Sequence, residues 1–255
     1  MLSLVVVLPL AALIGRGISF GPLQVWDVVN QERVWASLWL SFRLSFLAAS
    51  FNLVFGTLLA WVLARYRFPG RRLMDAAVDL PFALPTAVAG IALTALYAPN
   101  GAFGQILAEV GLRVAYTPIG IVIALIFVGL PFVVRTVQPV IDEIDREVEE
   151  ASATLGASRR TTLVRVILPL LMPAMLTGFA LSLARAVGEY GSVIFIAGNI
   201  PLVTEIAPLL IVIQLEEFDY DAAASIGIAM LVISFVMLLA INLIGIWSRR
   251  RMGNV

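Results

Sequence analysis

The sequence contains no cysteine and no histidine, and every one of its basic residues is arginine because lysine is absent too. Each absence removes a class of chemistry. Without cysteine there is neither a disulfide framework nor a thiolate metal site. Without histidine the commonest metal ligand and the usual general base are gone, and no metal site is expected. Without lysine there is no P-loop to hold a nucleotide and no Schiff-base enzyme. If ATP drives this protein, another chain hydrolyses it. Charge is scarce as well: 13% of the 255 residues are charged and 61% are apolar, with a mean hydropathy of +1.00. Those values lie far from soluble averages. The formal net charge is zero, so nothing points to nucleic acid and no such partner is expected.

What is present is a series of apolar blocks of about 20 residues, the length that crosses a bilayer. Six are legible, at 2–18, 37–66, 73–97, 118–137, 170–197 and 222–247. No soluble domain remains between them, so the expectation is all-α: one transmembrane domain over 1–255 in contact with lipid. Arginine placement orients it. One set of loops carries Arg65, Arg67, Arg71 and Arg72, then Arg135, Arg146, Arg159, Arg160 and Arg165, and the tail carries Arg249, Arg250 and Arg251. The opposite loops carry only Arg16, Arg33 and Arg113, while Glu205, Glu216, Glu217, Asp219 and Asp221 precede the last span. The positive-inside rule then puts both termini in the cytoplasm. Trp26, Trp35, Trp39, Trp61 and Trp247 fit interfacial anchoring. The first apolar block is short and has no basic residue before it. A start site lying further upstream fits this at least as well as a cleaved signal peptide, whose basic leading region is missing.

The longest inward loop, 142–169, is charged, then small, then basic. Asp142 to Leu155 reads as a short helix whose acidic first turn suits the positive end of the helix dipole. Gly156 stops it, since glycine accepts the left-handed cap. Ser158 is placed to cap a second helix, Arg159 to Leu168, and Pro169 suits the first turn of the fifth span. Small residues, Ala151, Ser152, Ala153, Gly156 and Ala157, fill the corner and would let another surface approach the backbone. The residues alone leave two readings open: a solvated charged loop, or a docking surface.

The pattern Glu150-Ala151-Ser152, three residues, Gly156, nine residues, Val166, one residue, Leu168-Pro169 resembles the EAA loop of ABC importer permeases. It departs from that loop mildly, with serine for the second alanine and valine for the usual isoleucine. The resemblance implies that Glu150, Ala151, Ser152, Ala153, Gly156, Ala157, Leu168 and Pro169 form coupling helices that dock on a separate ATPase subunit, which holds the ATP and Mg; this chain itself has no cofactor and no catalytic site. Further stretches are similar to the sulfate/thiosulfate importers, and within them to the T-type subunit: RYRFPGRR (65–72), DLPFALPTAVAG (79–90), PFVVRTVQPV (131–140), ARAVGEYGSVIFIAGNIP (184–201) and LEEFDYDAAASI (215–226). That implies a bacterial inner-membrane permease pairing with a W-type permease, two ATP-binding subunits and a periplasmic sulfate/thiosulfate-binding protein. The family usually has a longer basic leader than is seen here. Molybdate permeases share the GEYG-like and EAA elements and are the nearest alternative. A secondary transporter or channel would need no docking loop, and an intramembrane hydrolase lacks its base.

Within the spans, Pro81 and Pro85 remove backbone donors and disturb the carbonyl one turn earlier, leaving polar groups that lipid cannot satisfy. They read as a helix-packing kink or as part of a route for an oxyanion, and the resemblance favours the route. Arg43, Arg185 and Glu189 are ionisable at membrane depth, where charge is expensive and rarely faces lipid. Arg185 and Glu189 are four apart, on one face of the expected fifth span, and are placed to pair as a gate or as a structural ion pair. Arg43 is expected to snorkel to the outer surface. Glu216, Glu217, Asp219 and Asp221 read either as a dock for a binding protein or as solvated loop charge.

Overall fold

Residues 2–252 are described by a computed structural model, and their regular elements are all helical. The side chains of 2–4, of residue 6, of Arg146 and of 246–252 lie outside the described residues, so the expectations placed on Trp247 and on Arg249 to Arg251 go no further. In chain order the helices are α1 (Leu2–Phe20), α2 (Pro22–Val29), α3 (Glu32–Arg65), α4 (Arg71–Ala83), α5 (Thr86–Tyr97), α6 (Ala102–Glu109), α7 (Pro118–Glu143), α8 (Arg146–Thr154) and α9 (Arg159–Thr162). A π-helical stretch, Leu163–Ile167, leads into α10 (Leu168–Val187), followed by α11 (Val193–Ile196), α12 (Ala207–Glu216) and α13 (Tyr220–Met252). Four helical runs, Glu32–Arg65, Pro118–Glu143, Arg159–Val187 and Tyr220–Gly245, are long and apolar enough to cross a membrane. Two broken pairs, α1 with α2 and α4 with α5, raise the number to as many as six.

The chain divides into two interleaved units. The first comprises Met1–Ser45, Ala87–Ala124 and Val187–Met237. Here α1 turns by 97° into α2, and Arg16 Nε donates to Asp221 at 2.9 Å. Arg33 grips Glu205 with two bonds of 2.8 and 2.7 Å. The Ser41 hydroxyl accepts the Ala207 N–H at 2.8 Å, occupying one of the donors that the first turn of α12 would otherwise leave unsatisfied.

The second unit comprises Phe46–Thr86, Leu125–Ala186 and Leu238–Val255. Its core is an apolar cluster of Leu63 from α3, Val78 from α4, Val133, Val137 and Ile141 from α7, and Ile167 and Leu171 from the helical run Arg159–Val187. Fully buried Asn52 donates to the Ile126 carbonyl and to Ser182 Oγ, both at 3.2 Å, which ties α3, α7 and α10 together within that apolar setting.

Several expected boundaries move, each for a local reason. The 73–97 span is not continuous: Leu84 is extended (φ −86°, ψ 134°), as a residue before proline tends to be, so Pro85 separates α4 from α5 while Pro81 stays inside α4. The fourth span runs on to Glu143, so Asp142 belongs to α7 and the next helix begins at Arg146. The exit is fixed at Ile144, whose carbonyl accepts from Arg65 Nη2 at 2.9 Å. Pro169 does not start a new helix. The helix is continuous from Arg159 to Val187, and the wide turn before Pro169 lets Leu168 N–H reach Leu163 O, easing the ring past the preceding carbonyls. The fifth span ends at Val187 rather than near Ala197, because the chain leaves the helix at Gly188. Four helices went unforeseen: α2, α6, α11 and α12.

Candidate functional site

The loop between α7 and α10 forms its corner from local rules. Asp145 (φ −62°, ψ 140°) starts α8, with Glu147 and Glu149 in the first turn. At the other end Gly156 sits at φ +80°, a conformation that strains most residues with a Cβ. Its N–H meets Ala153 O at 3.0 Å and the Ala157 N–H meets Ser152 O at 3.0 Å, the paired bonds of a Schellman cap. Two residues later Ser158 (φ −70°, ψ 156°) caps α9 through Thr161 N–H at 3.2 Å. The corner therefore has the shape expected from the sequence.

Its surface is open. Ala151, Ala153 and Gly156 are exposed, Ser152 and Ala157 half-buried, and a Cβ built on Gly156 would have nothing within 4 Å. Leu155, at the apex, is 88% exposed. The sequence reading missed Leu155, although an apolar residue directly before a helix-stopping glycine was the available signal. Leu168 and Pro169 are half-buried, away from the corner on the continuous helix. Glu149 meets Arg65 Nη2 at 3.3 Å. Arg65 also lies over the Trp61 ring at 5.5 Å, so α8 is tethered to the end of α3. Beside this tether, Trp61, Arg65, Tyr66, Glu149 and Glu150 line a cavity of about 310 Å³.

A second polar assembly went unrecognised. Arg135 of α7 donates from Nε and Nη2 to Asp79 at 2.8 and 2.7 Å, and from Nη1 and Nη2 to the Asp75 carboxylate and carbonyl at 2.7 and 2.9 Å. Nη1 also reaches Gln138 at 2.9 Å. The signal was two aspartates one helical turn apart facing a lone arginine in an apolar run. It was missed because Arg135 was assigned to a loop.

Glu189 lies beyond the end of α10, so the one-face spacing with Arg185 does not apply. It is only 2% exposed. Its Oε1 accepts from the Ser192 N–H and hydroxyl at 2.8 and 2.9 Å, closing the turn that starts α11. A Cβ on Gly90 would stand 2.8 Å from Ser192 Cα, so α5 requires glycine where it meets this turn. The segment after the Pro85 break thus lies directly against the Glu189 turn. Arg43 is exposed.

The outer acids do not act together. Glu205 is buried against Arg33, Asp221 pairs with Arg16, and Asp219 caps α13 through the Ala222 N–H at 2.9 Å. Glu216 and Glu217 stay exposed. Among the described residues no three acidic side chains converge to hold a metal ion.

Comparison with known proteins covers nearly the whole chain. Residues 52–254 match the family described as "binding-protein-dependent transport system inner membrane component". The chain is 50% identical to a protein named "Sulfate transport system permease protein CysT" from Salmonella typhimurium over 94% of its own length and 86% of the relative's. It is 46% identical to the protein of that name from Synechococcus elongatus, over 99% and 91% respectively. Among solved structures, a bacterial ABC transporter that imports the acidic polysaccharide alginate shares the fold. Its TM-score is 0.74 at 21% identity, covering 93% of this chain and 88% of that one. The MetNI methionine ABC transporter in an inward-facing conformation gives a TM-score of 0.63 at 18% identity, over 86% and 99%.

Proposed function

The chain belongs to the inner membrane components of binding-protein-dependent transport systems, and from that membership we propose that it is the permease subunit of an ATP-driven ABC importer carrying sulfate across the cytoplasmic membrane. The observation that carries the proposal is the 50% identity to a sulfate permease across 94% of the chain. A match that long leaves little room for an unrelated role.

The complete machine, in this reading, adds ATPase subunits that bind ATP and Mg, and a periplasmic binding protein that delivers the anion. A pair of ATPases, a W-type permease partner and passage of thiosulfate as well as sulfate are the finer parts of the same proposal. The orientation follows from the arginines: both termini and the 146–169 stretch face the cytoplasm. The corner at Ala151, Ser152, Ala153, Leu155 and Gly156, exposed except for half-buried Ser152, then meets an ATPase surface. ATP binding favours one conformation of the assembly through its differential affinity for two, and the corner passes that preference to α10. Pro81, Pro85, Arg185 and Glu189 are the candidates for the route or its gate. A glutamate repels a sulfate dianion unless it is paired or protonated, so Glu189 suits a gate better than a ligand. No bond of the cargo is made or broken by this chain.

Radiolabelled sulfate uptake by the assembled complex, with molybdate as competitor, tests the reading. Uptake should need the binding protein and ATP and should resist a tenfold excess of molybdate. Uptake surviving deletion of the ATPase would overturn it in favour of a secondary transporter. Preferential transport of molybdate would replace the cargo and keep the machine.

A further inference from the structure

The segment 66–83, between the end of α3 and the Pro85 break, carries a charge surplus that nothing in the proposed transport cycle uses. Arg67, Arg71, Arg72, Leu73 and Asp75 line a cavity of about 690 Å³ at the start of α4. Among the described residues Arg67, Arg71 and Arg72 make no ion pair and no side-chain hydrogen bond. Asp75, the one acid lining the cavity, is already engaged by Arg135. Counting the arginines at 67, 71, 72 and 135 against Asp75 and Asp79, the neighbourhood holds two uncompensated positive charges.

The helix beside this cavity is two-faced in an unusual sense. Its residues 75, 78, 79 and 82 form one stripe, in which Asp75 and Asp79 bind Arg135, Val78 is buried and Phe82 meets Phe132 edge-on at 5.1 Å. The opposite stripe, Leu73, Ala76, Ala77 and Leu80, is exposed, with Leu73 at 76%. Acids turned toward Arg135, exposed leucines on the opposite stripe and free arginines at one end suit a helix lying at a bilayer surface. Free guanidiniums directly after a spanning helix attract anionic headgroups.

We propose that Arg67, Arg71 and Arg72 bind the phosphate of an anionic phospholipid, with Leu73 and Leu80 of α4 against its acyl region. An arginine fork matches a phosphate's oxygens better than an ammonium would, which suits a chain whose basic residues are all arginine. A small free anion would leave the exposed leucine stripe without a partner, and a headgroup with its tails covers both.

The test uses the assembled complex in zwitterionic nanodiscs doped with photoreactive phosphatidylglycerol or photoreactive phosphatidylcholine of identical acyl chains, with adducts mapped by peptide mass spectrometry. In the wild-type complex, labelling of 66–83 should favour the phosphatidylglycerol probe by at least tenfold. Replacing all three arginines by glutamine should reduce that labelling on the order of 100-fold, since each basic residue near the surface contributes about a fivefold preference. The Arg→Lys triple, which retains charge, should keep most of it. Equal labelling by the two probes in the wild type would overturn the proposal without reference to any variant. Loss of phosphatidylglycerol labelling in 5 mM sulfate or phosphate, roughly the concentration that would fill a weak anion site, would assign the cavity to a free anion and overturn it equally.

Discussion

Arg135→Gln removes five hydrogen bonds at once and leaves Asp75 and Asp79 facing each other without a cation. The arginine side chain is 31% exposed and the aspartates 43% and 50%. These pairs therefore stand between a solvated surface pair, worth about 0.2–1 kcal/mol, and a buried charged hydrogen bond, worth about 1.5–3 kcal/mol. About 1 kcal/mol for each carboxylate is reasonable after screening, and the like charges one turn apart add a few tenths. The loss should total about 2–3 kcal/mol, or a fall of roughly 4–12 °C in the thermal midpoint for a chain of this size. The assay is the temperature at which the purified complex loses its monodisperse peak, at one fixed heating rate. The sharper comparison is with Arg135→Gln combined with Asp75→Asn and Asp79→Asn. Breaking an ion pair strands its partners, whereas neutralising every member does not. The triple variant should recover at least half of the lost midpoint. If it is no more stable than Arg135→Gln alone, the aspartates are not what Arg135 serves, and α4 is held by Val78 and Phe82 instead.

Gly156→Ala should destabilise the corner by about 1 kcal/mol, through the positive φ alone. Gly156→Asn should largely preserve the cap, because asparagine tolerates that conformation, while placing bulk on the proposed docking face. Sulfate uptake that stays at the wild-type rate in Gly156→Asn would leave only the conformational role. Leu155→Gln alters nothing that the described residues pack upon, so it should lower ATP-driven uptake several-fold without moving the thermal midpoint; unchanged uptake would remove Leu155 from the contact. Glu189→Gln retains the acceptor for Ser192 and drops the charge, while Glu189→Ala drops both. Basal ATPase activity of the complex should change in both if the charge gates transport, and only in the alanine variant if Glu189 merely closes its turn.

What the sequence made legible was whatever a few neighbouring residues decide. The helix stop at Gly156 and the cap at Ser158 are both local and both hold. The pairing of Arg33 with Glu205 joins residues 172 positions apart, and no pattern along the chain announces it. The fifth span reads too long from the sequence because the apolar run Val193 to Ala197 follows so soon after the helix. A glycine on either side of Glu-Tyr marks the place where the helix yields, and hydropathy does not register that. Pro169 misled in the other direction: a proline normally marks a helix start, but a wide turn ahead of it can carry the helix through.

That continuity bears directly on how the corner would act. Arg159–Val187 is one helical run of 29 residues, roughly 44 Å at 1.5 Å per residue. Its first residue follows the cap at Ser158, and its last stands two positions before buried Glu189. A displacement applied at the corner therefore reaches the Glu189 turn through a single element, provided the element is stiff. Its one irregularity is the π stretch at Leu163–Ile167, held by the burial of Ile167 and Leu171 in the apolar cluster of the second unit. Inserting two glycines after Thr162 should soften the run where it is already irregular, at about 1 kcal/mol of helix propensity for each glycine. Chain entry into the membrane and binding of the ATPase should survive, while ATP hydrolysis no longer drives uptake. Uptake per ATP at the wild-type ratio in that insertion variant would mean that the rod does not carry the motion and that another contact of the loop, such as the tether at Arg65, does.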